Sequence, residues 1–169
     1  MVKLLNLVRP TRAYFGQKDA LQCVVIQRTV HDLNIQTQII IGDTVRESDG
    51  LALSSRNAYL TETERLAAPI LYQGLCAAEK LYQQHKRSKS PLTPSQLQQA
   101  VKDVLLQEPL VSEIQYISID HRGTMEPLPS DQPMDMVGND EQHEWEKGAI
   151  VSLACKIGTV RLIDNMVLK

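Results

Sequence analysis

Two short segments carry residue types that could do chemistry together. The first is YFGQKDALQ, residues 14–22, where a glycine is followed by a lysine and an aspartate as an apolar strand turns into a helix. A helix that begins at the carboxyl end of a parallel strand presents unpaired N–H groups and partial positive charge, a ready site for phosphate. Gly16 would let a ligand come close to the backbone. A lysine in the first helical turn opposes the helix dipole, so Lys18 makes sense there when an anion lies nearby. Lys18, Asp19 and Gln22 fall within one turn, and their side chains can converge on one ligand. A plainer reading stands beside this one, with Asp19 as a helix cap and Lys18 as a surface charge.

The second segment is LALSSRN, residues 51–57. Ser54, Ser55 and Arg56 bring hydroxyls and a planar guanidinium to one loop, a set suited to holding a polyphosphate and stabilising charge on a leaving pyrophosphate. Loops of this kind close over substrates. The same string also reads as a solvated turn ahead of a helix.

The elements around these segments decide whether they can meet. RAYFG reads as a short strand, DALQCVVIQRTVHDLN as a helix with Leu21, Val24, Val25 and Val30 on one face, and TQIIIG as a second strand. Strand, helix, strand in about thirty residues is a βαβ crossover with parallel pairing. The candidate segments flank this unit and could face one crevice. A long irregular stretch runs from Asp43 to Leu60, followed by a capping box at Thr61 and Glu64 and a helix to about Gln84, with a break expected near Pro69. Pro94 suits the first turn of the next helix. SEIQYISID, GAIVSLACKIG and TVRLIDNMVL then show strand patterns, the last two joined by a tight turn at Gly158. The fold class predicted is α/β: a partial Rossmann-like βαβ unit, residues 1–50, then a small α+β domain, residues 51–169, with two helices on a short antiparallel sheet. Residues 129–148, rich in Asp, Glu, Pro and Gly, read as a solvent-exposed insertion.

Composition narrows the function classes. With 18 Lys and Arg against 20 Asp and Glu, and only one basic run, HKRSKS at residues 85–90, the chain has no surface to track a nucleic acid backbone. That run reads as a solvated loop between helices. No apolar stretch reaches the length of a membrane helix and no targeting signal is evident, so the expected compartment is the cytoplasm. Cys23, Cys76 and Cys155 lie apart in apolar sequence and read as buried reduced thiols; the four histidines have no metal-ligand spacing, and no protein metal site is expected.

NLVRPTRAYFGQKDALQ, TVRESDGLALSSRNAYL and the terminal RLIDN, in that order, closely resemble the pantothenate synthetase (pantoate:β-alanine ligase) family, C-terminal part. The resemblance implies an ATP-dependent condensation in which pantoate becomes an acyl adenylate, pyrophosphate leaves, and the amine of β-alanine displaces AMP. ATP is then a substrate and Mg2+ accompanies it. Carried over by position, Gly16, Lys18 and Asp19 lie at the nucleotide, Lys18 near its phosphates and Asp19 near the ribose. Gln22 bonds pantoate, Val45 offers backbone contacts to adenine, and Ser54, Ser55 and Arg56 resemble the KMSKS phosphate loop of related nucleotidyl transferases. Gln17, Ala20 and Leu21 depart from the family pattern without touching these contacts. The HxGH phosphate motif of the family has no counterpart, and Met1 falls where the last part of the nucleotide-binding half should begin. The expected partners are the small-molecule substrates together with a homodimer mate or a chain that supplies the missing half. The alternative reading is a catalytically incomplete relative that acts as a binding or interaction module; a generic flavodoxin-like domain would need more βαβ units than the second half offers.

Overall fold

Glycine, proline and the switch from helical to strand periodicity cut the chain where the sequence predicts. The structure, a computed structural model, describes residues 1–137 and 143–168 and divides into two compact units, Met1–Thr44 and Val45–Lys169.

The first unit holds α1 (Val2–Val8), β1 (Arg12–Gly16), α2 (Ala20–Asp32) and β2 (Gln38–Gly42). β1 and β2 pair in parallel from Arg12 opposite Gln38 to Gly16 opposite Gly42. The Gln17 N–H donates to the Gly42 carbonyl at 2.8 Å and closes the pairing at its carboxyl end. One prediction fails in α2. Its buried residues are Ala20, Cys23, Val24 and Ile26, while Leu21 and Val25 are 57% and 54% exposed. Apolar residues occur on nearly every face of this helix, so periodicity alone selects the wrong stripe.

The second unit begins with an irregular segment and a 3-10 turn at Ser55–Tyr59, then α3 (Glu62–Ala67), α4 (Ile70–Ser88), α5 (Pro94–Leu105) and the strands β3 (Val111–His121), β4 (Ala149–Ile157) and β5 (Val160–Leu168). The antiparallel order is β3-β4-β5. The Thr61 capping box forms as predicted: Thr61 Oγ1 accepts from the Glu64 N–H at 3.3 Å and Glu64 Oε2 from the Thr61 N–H at 2.8 Å. Pro69 cannot donate a helical hydrogen bond, and the helix breaks there into α3 and α4. Gly74 lets α4 approach α5, because a Cβ there would sit 3.2 Å from Val101 Cγ1. Leu75, Leu97, Val101, Leu105, Val151, Leu153 and Ile157 from these helices and strands form the core.

Two further expectations change. The basic run at 85–90 is not a loop, since α4 continues through Ser88, His85 is buried, and its Nδ1 hydrogen-bonds the Ser90 carbonyl. Cations in a last turn complement the negative end of the helix dipole, so basic composition did not mark a helix stop. The stretch 129–148 is not wholly solvent-exposed: Met134 and Val137 are buried in the core, and the Met134 N–H donates to the Leu92 carbonyl at 2.9 Å. Averaged polarity concealed two apolar anchors. Residues 138–142 of that stretch lie outside the described residues.

Leu75→Ala should lower the stability of the second unit by about 2–5 kcal/mol, read from denaturant unfolding, because a fully buried side chain leaves a cavity. Gly158→Val should also destabilise it. Gly158 has φ +57°, and a Cβ would meet Glu64 Oε1 at 1.8 Å. A wild-type unfolding midpoint for both would contradict this packing.

Candidate active site

In the first unit the strand-to-helix turn gathers the predicted residues. Gly16 ends β1, with open space where a Cβ would point. Lys18 lies in the turn before the helix, half-buried, and so does not occupy the first turn of α2. Asp19 takes the N-cap position, yet its side chain makes no capping hydrogen bond; its backbone is engaged, the N–H donating to the Gly16 carbonyl at 3.4 Å and the carbonyl accepting from the Cys23 N–H at 3.1 Å. The side-chain cap offered by the plainer reading is thus absent. Gln22 is exposed on the first turn of α2.

Cys23 holds this turn shut. Its Sγ donates to the Gly16 carbonyl at 3.2 Å, joining the end of β1 to the start of α2. Burial, reinforced by the negative Asp19, pushes the Cys23 thiol up to about 11, so it remains a donor at neutral pH. Sequence reasoning identified a buried thiol but had no local signal for its partner.

In the second unit, Val45, Ser54, Ser55 and Arg56 belong to one stapled loop. The Val45 carbonyl accepts from the Leu53 N–H and the Leu51 carbonyl from the Glu47 N–H, both at 2.9 Å, while Arg46 and Ala52 form an antiparallel bridge. Among the described residues the Val45 N–H has no backbone partner, and its carbonyl keeps one lone pair. Arg65 of α3 reaches Asp49 at 2.6 Å and Glu47 at 2.7 Å. Asn57, which sequence reasoning passed over, donates from Nδ2 to the Ala52 carbonyl at 3.0 Å and ties the 3-10 turn back to the loop. Its Oδ1 is buried with no partner among the described residues. Ser54 Oγ accepts from the Arg56 N–H at 3.3 Å. Ser55 and Arg56 are exposed, and the Arg56 guanidinium has no hydrogen-bond or ion-pair partner among the described residues. The turn thus presents a cation with five N–H donors beside two hydroxyls, a set matched to phosphate oxygens.

A cavity of about 600 Å3 elsewhere in the second unit, lined by Tyr82, Arg122, Met134 and Lys147 among others, includes none of these residues. Among the described residues no three His, Cys, Asp or Glu side chains come together as a metal site. No helix among them is long and apolar enough to cross a membrane.

The family profile described as pantoate-beta-alanine ligase matches residues 1–167. The chain belongs to the pantoate-β-alanine ligase family. Over 166 residues it is 45% identical to the pantothenate synthetase of Chloroflexus aggregans, covering 98% of this chain and 53% of that protein. The pantothenate synthetase of Herpetosiphon aurantiacus is 43% identical over 169 residues, covering 99% of this chain and 54% of its own. The crystal structure of pantothenate synthetase from Thermus thermophilus is similar with TM-score 0.78 at 36% identity, over 98% of this chain and 52% of that one. The pantoate-β-alanine ligase of Francisella tularensis, solved with beta-gamma ATP and β-alanine, is similar with TM-score 0.57 at 29% identity, over 98% and 47% of the two chains. The chain spans about half the length of the curated relatives it matches.

Two outcomes follow for this member of the pantoate-β-alanine ligase family. At pH 8 a thiol with a pKa of about 11 is only ~0.1% thiolate, and Cys155 is pushed up further, to about 12, by burial. Iodoacetamide should therefore label part-exposed Cys76 first and Cys23 and Cys155 only after denaturation; native labelling of Cys23 at the rate of a free thiol would contradict the closed turn. The Arg65 hydrogen bond, then the Leu51 N–H, holds the Asp49 carboxyl below its usual range. A depressed carboxylate stabilises above the ordinary aspartate pKa and stops doing so as pH falls through its folded value. Exchange of the Leu51 amide, corrected for intrinsic pH dependence, should accelerate only below about pH 4.

Proposed function

We propose that this chain carries part of the site of an ATP-dependent ligase that condenses pantoate with β-alanine. The observation that carries the reading is Arg56, without a partner among the described residues, beside Ser54 and Ser55 on a stapled loop, in a chain whose match to this family runs through residues 1–167. In this reading residues 1–50 are the remnant of a Rossmann-like nucleotide-binding domain, and residues 51–169 form a C-terminal domain that opens with the phosphate loop. The segment 45–50 nonetheless belongs to the second compact unit.

A carboxylate is a poor acyl donor until its oxygen carries a phosphate leaving group. The pantoate carboxylate oxygen attacks the α-phosphorus of ATP, the bond to the bridging oxygen breaks, and pyrophosphate departs. The amine of β-alanine then attacks the acyl carbon, AMP leaves with the carboxylate oxygen, and the amine gives up a proton. The protein supplies position and charge stabilisation and no covalent nucleophile. Lys18 and Arg56, with the Ser54 and Ser55 hydroxyls, would neutralise the phosphates. Asp19 would take the ribose, Gln22 pantoate, Val45 the adenine edge through its backbone, and Gly16 would leave room for the nucleotide. Mg2+ would accompany the ATP phosphates, which are its usual ligands together with water. The setting in this reading is pantothenate biosynthesis in the cytoplasm.

A second reading, an interaction module without catalysis, is favoured by the first unit. Its parallel sheet has two strands, and it exposes Leu7 at 82% together with Leu21, Val25 and Tyr14. Parallel strands are ordinarily covered on both faces. Such a surface suits a second copy or a chain that carries the part of the relatives this one does not span.

Calorimetric titration of the whole chain with Mg·ATP tests the first reading. Arg56→Ala should weaken binding by about 10- to 100-fold, the worth of charge-assisted hydrogen bonds. Unchanged affinity would remove the loop from the nucleotide site. Pantothenate formation by the chain, assayed alone and with an added nucleotide-binding half, separates the two readings; no product in either case, together with co-elution with a full-length ligase, would favour the module.

A further inference from the structure

The RLIDN motif, residues 161–165, matches the family but has no part in the site described above. We propose that its Asp164, with Arg46 and Tyr72, forms the clasp that positions the Ser54–Arg56 turn for phosphate; this rests on the nucleotide reading of that turn.

Asp164 lies on β5 opposite Leu153, and its side chain is 3% exposed. Arg46 meets it with both arms of its fork, at 2.6 Å from one terminal nitrogen to Oδ2 and 3.0 Å from the other to Oδ1. The first nitrogen also donates to the Gly50 carbonyl at 3.0 Å, and Asp164 Oδ1 accepts from the Asn165 N–H at 2.8 Å. The guanidinium carbon lies 4.1 Å from the centroid of the Tyr72 ring. Gly50 lies against that ring, since a Cβ there would fall 2.2 Å from Tyr72 Cδ1, and its φ of +95° also favours glycine. The cation is thus held on its edge by a carboxylate and a carbonyl, and on its face by an aromatic ring.

From this clasp to the turn the path is short and rigid. Arg46 bridges Ala52, and the Ala52 carbonyl accepts from Asn57 Nδ2 on the far side of Ser54–Arg56. An apolar pair would fill the same space on the core-facing side of β5 without the cost of desolvating two charges. What the charged pair adds is direction: a fork fixed to one carboxylate sets the register of the loop. Arg46, Asp164 and Tyr72 are positioning residues in this account.

The test uses the whole chain and reads two quantities, Mg·ATP affinity and hydrogen exchange of residues 45–57 against β4 amides. Asp164→Asn should speed exchange of 45–57 by at least about tenfold, leave β4 amides at the wild-type rate, and weaken Mg·ATP by about tenfold. Arg46→Lys keeps the charge without the fork and should act in the same direction, covering the case in which Asp164→Asn does not fold. Tyr72→Phe keeps the ring and should behave as wild type. Wild-type exchange of 45–57 in both clasp variants would overturn the proposal, as would faster exchange with undiminished ATP affinity while Arg56→Ala binds poorly. A uniform rise across β4 would also overturn it, marking a purely structural pair. The nucleotide reading fails separately, through unaltered binding by Arg56→Ala, and the exchange measurement does not depend on it.

Discussion

The Arg46–Asp164 pair organises the loop of the second unit. It joins residues 118 positions apart and removes the carboxylate almost entirely from water, while the Arg46 side chain stays 17% exposed. Such a pair is costly unless every donor and acceptor is satisfied. Here the carboxylate also takes a backbone N–H, and the guanidinium also takes a carbonyl and an aromatic face. Once Arg46 is held, its bridge to Ala52, the Arg65 staples to Glu47 and Asp49, and the Asn57 bond to Ala52 leave the intervening chain few conformations. A stretch that reads as irregular acquires one shape.

The two candidate segments are built on different principles. In the first unit the geometry is that of a strand end: Gly16 with no side chain, a turn closed by Cys23, and a helix whose first N–H groups point forward. In the second unit, backbone and side-chain staples hold a turn on which Ser55 and Arg56 are exposed. Ser54 caps its own turn, while the Arg56 side chain beside it has no partner among the described residues. That contrast is informative because its neighbours Arg46 and Arg65 are both spent on carboxylates.

β4 explains why the second unit tolerates such a loop at its edge. Eight of its nine residues are buried, and it pairs along its length with β3 and β5. Helices α4 and α5 supply Leu75, Leu97, Val101 and Leu105 to the same core. Leu51 of the loop joins this core and Ala52 beside it is buried, so packing as well as the Arg46–Asp164 pair fixes the loop's conformation.

The features legible in the residue string are local ones. The Thr61–Glu64 box, the break at Pro69, Pro94 at a helix start, the Gly158 turn and the strand periods all act through atoms a few residues apart, and each appears where its residue type requires it. Residues 16, 18, 19, 22 and 54–56 stand out as candidates for the same reason, as short strings with chemistry in them, whereas Val45 enters only through the family resemblance. Long-range packing was needed to settle which stripe of α2 is buried, that His85, Met134 and Val137 turn inward, and that Cys23 closes on Gly16. The same holds for the grip of Asp164 on Arg46. Each of those outcomes depends on a partner that neither composition nor period names, because burial and ion pairing are settled by whatever the fold brings alongside.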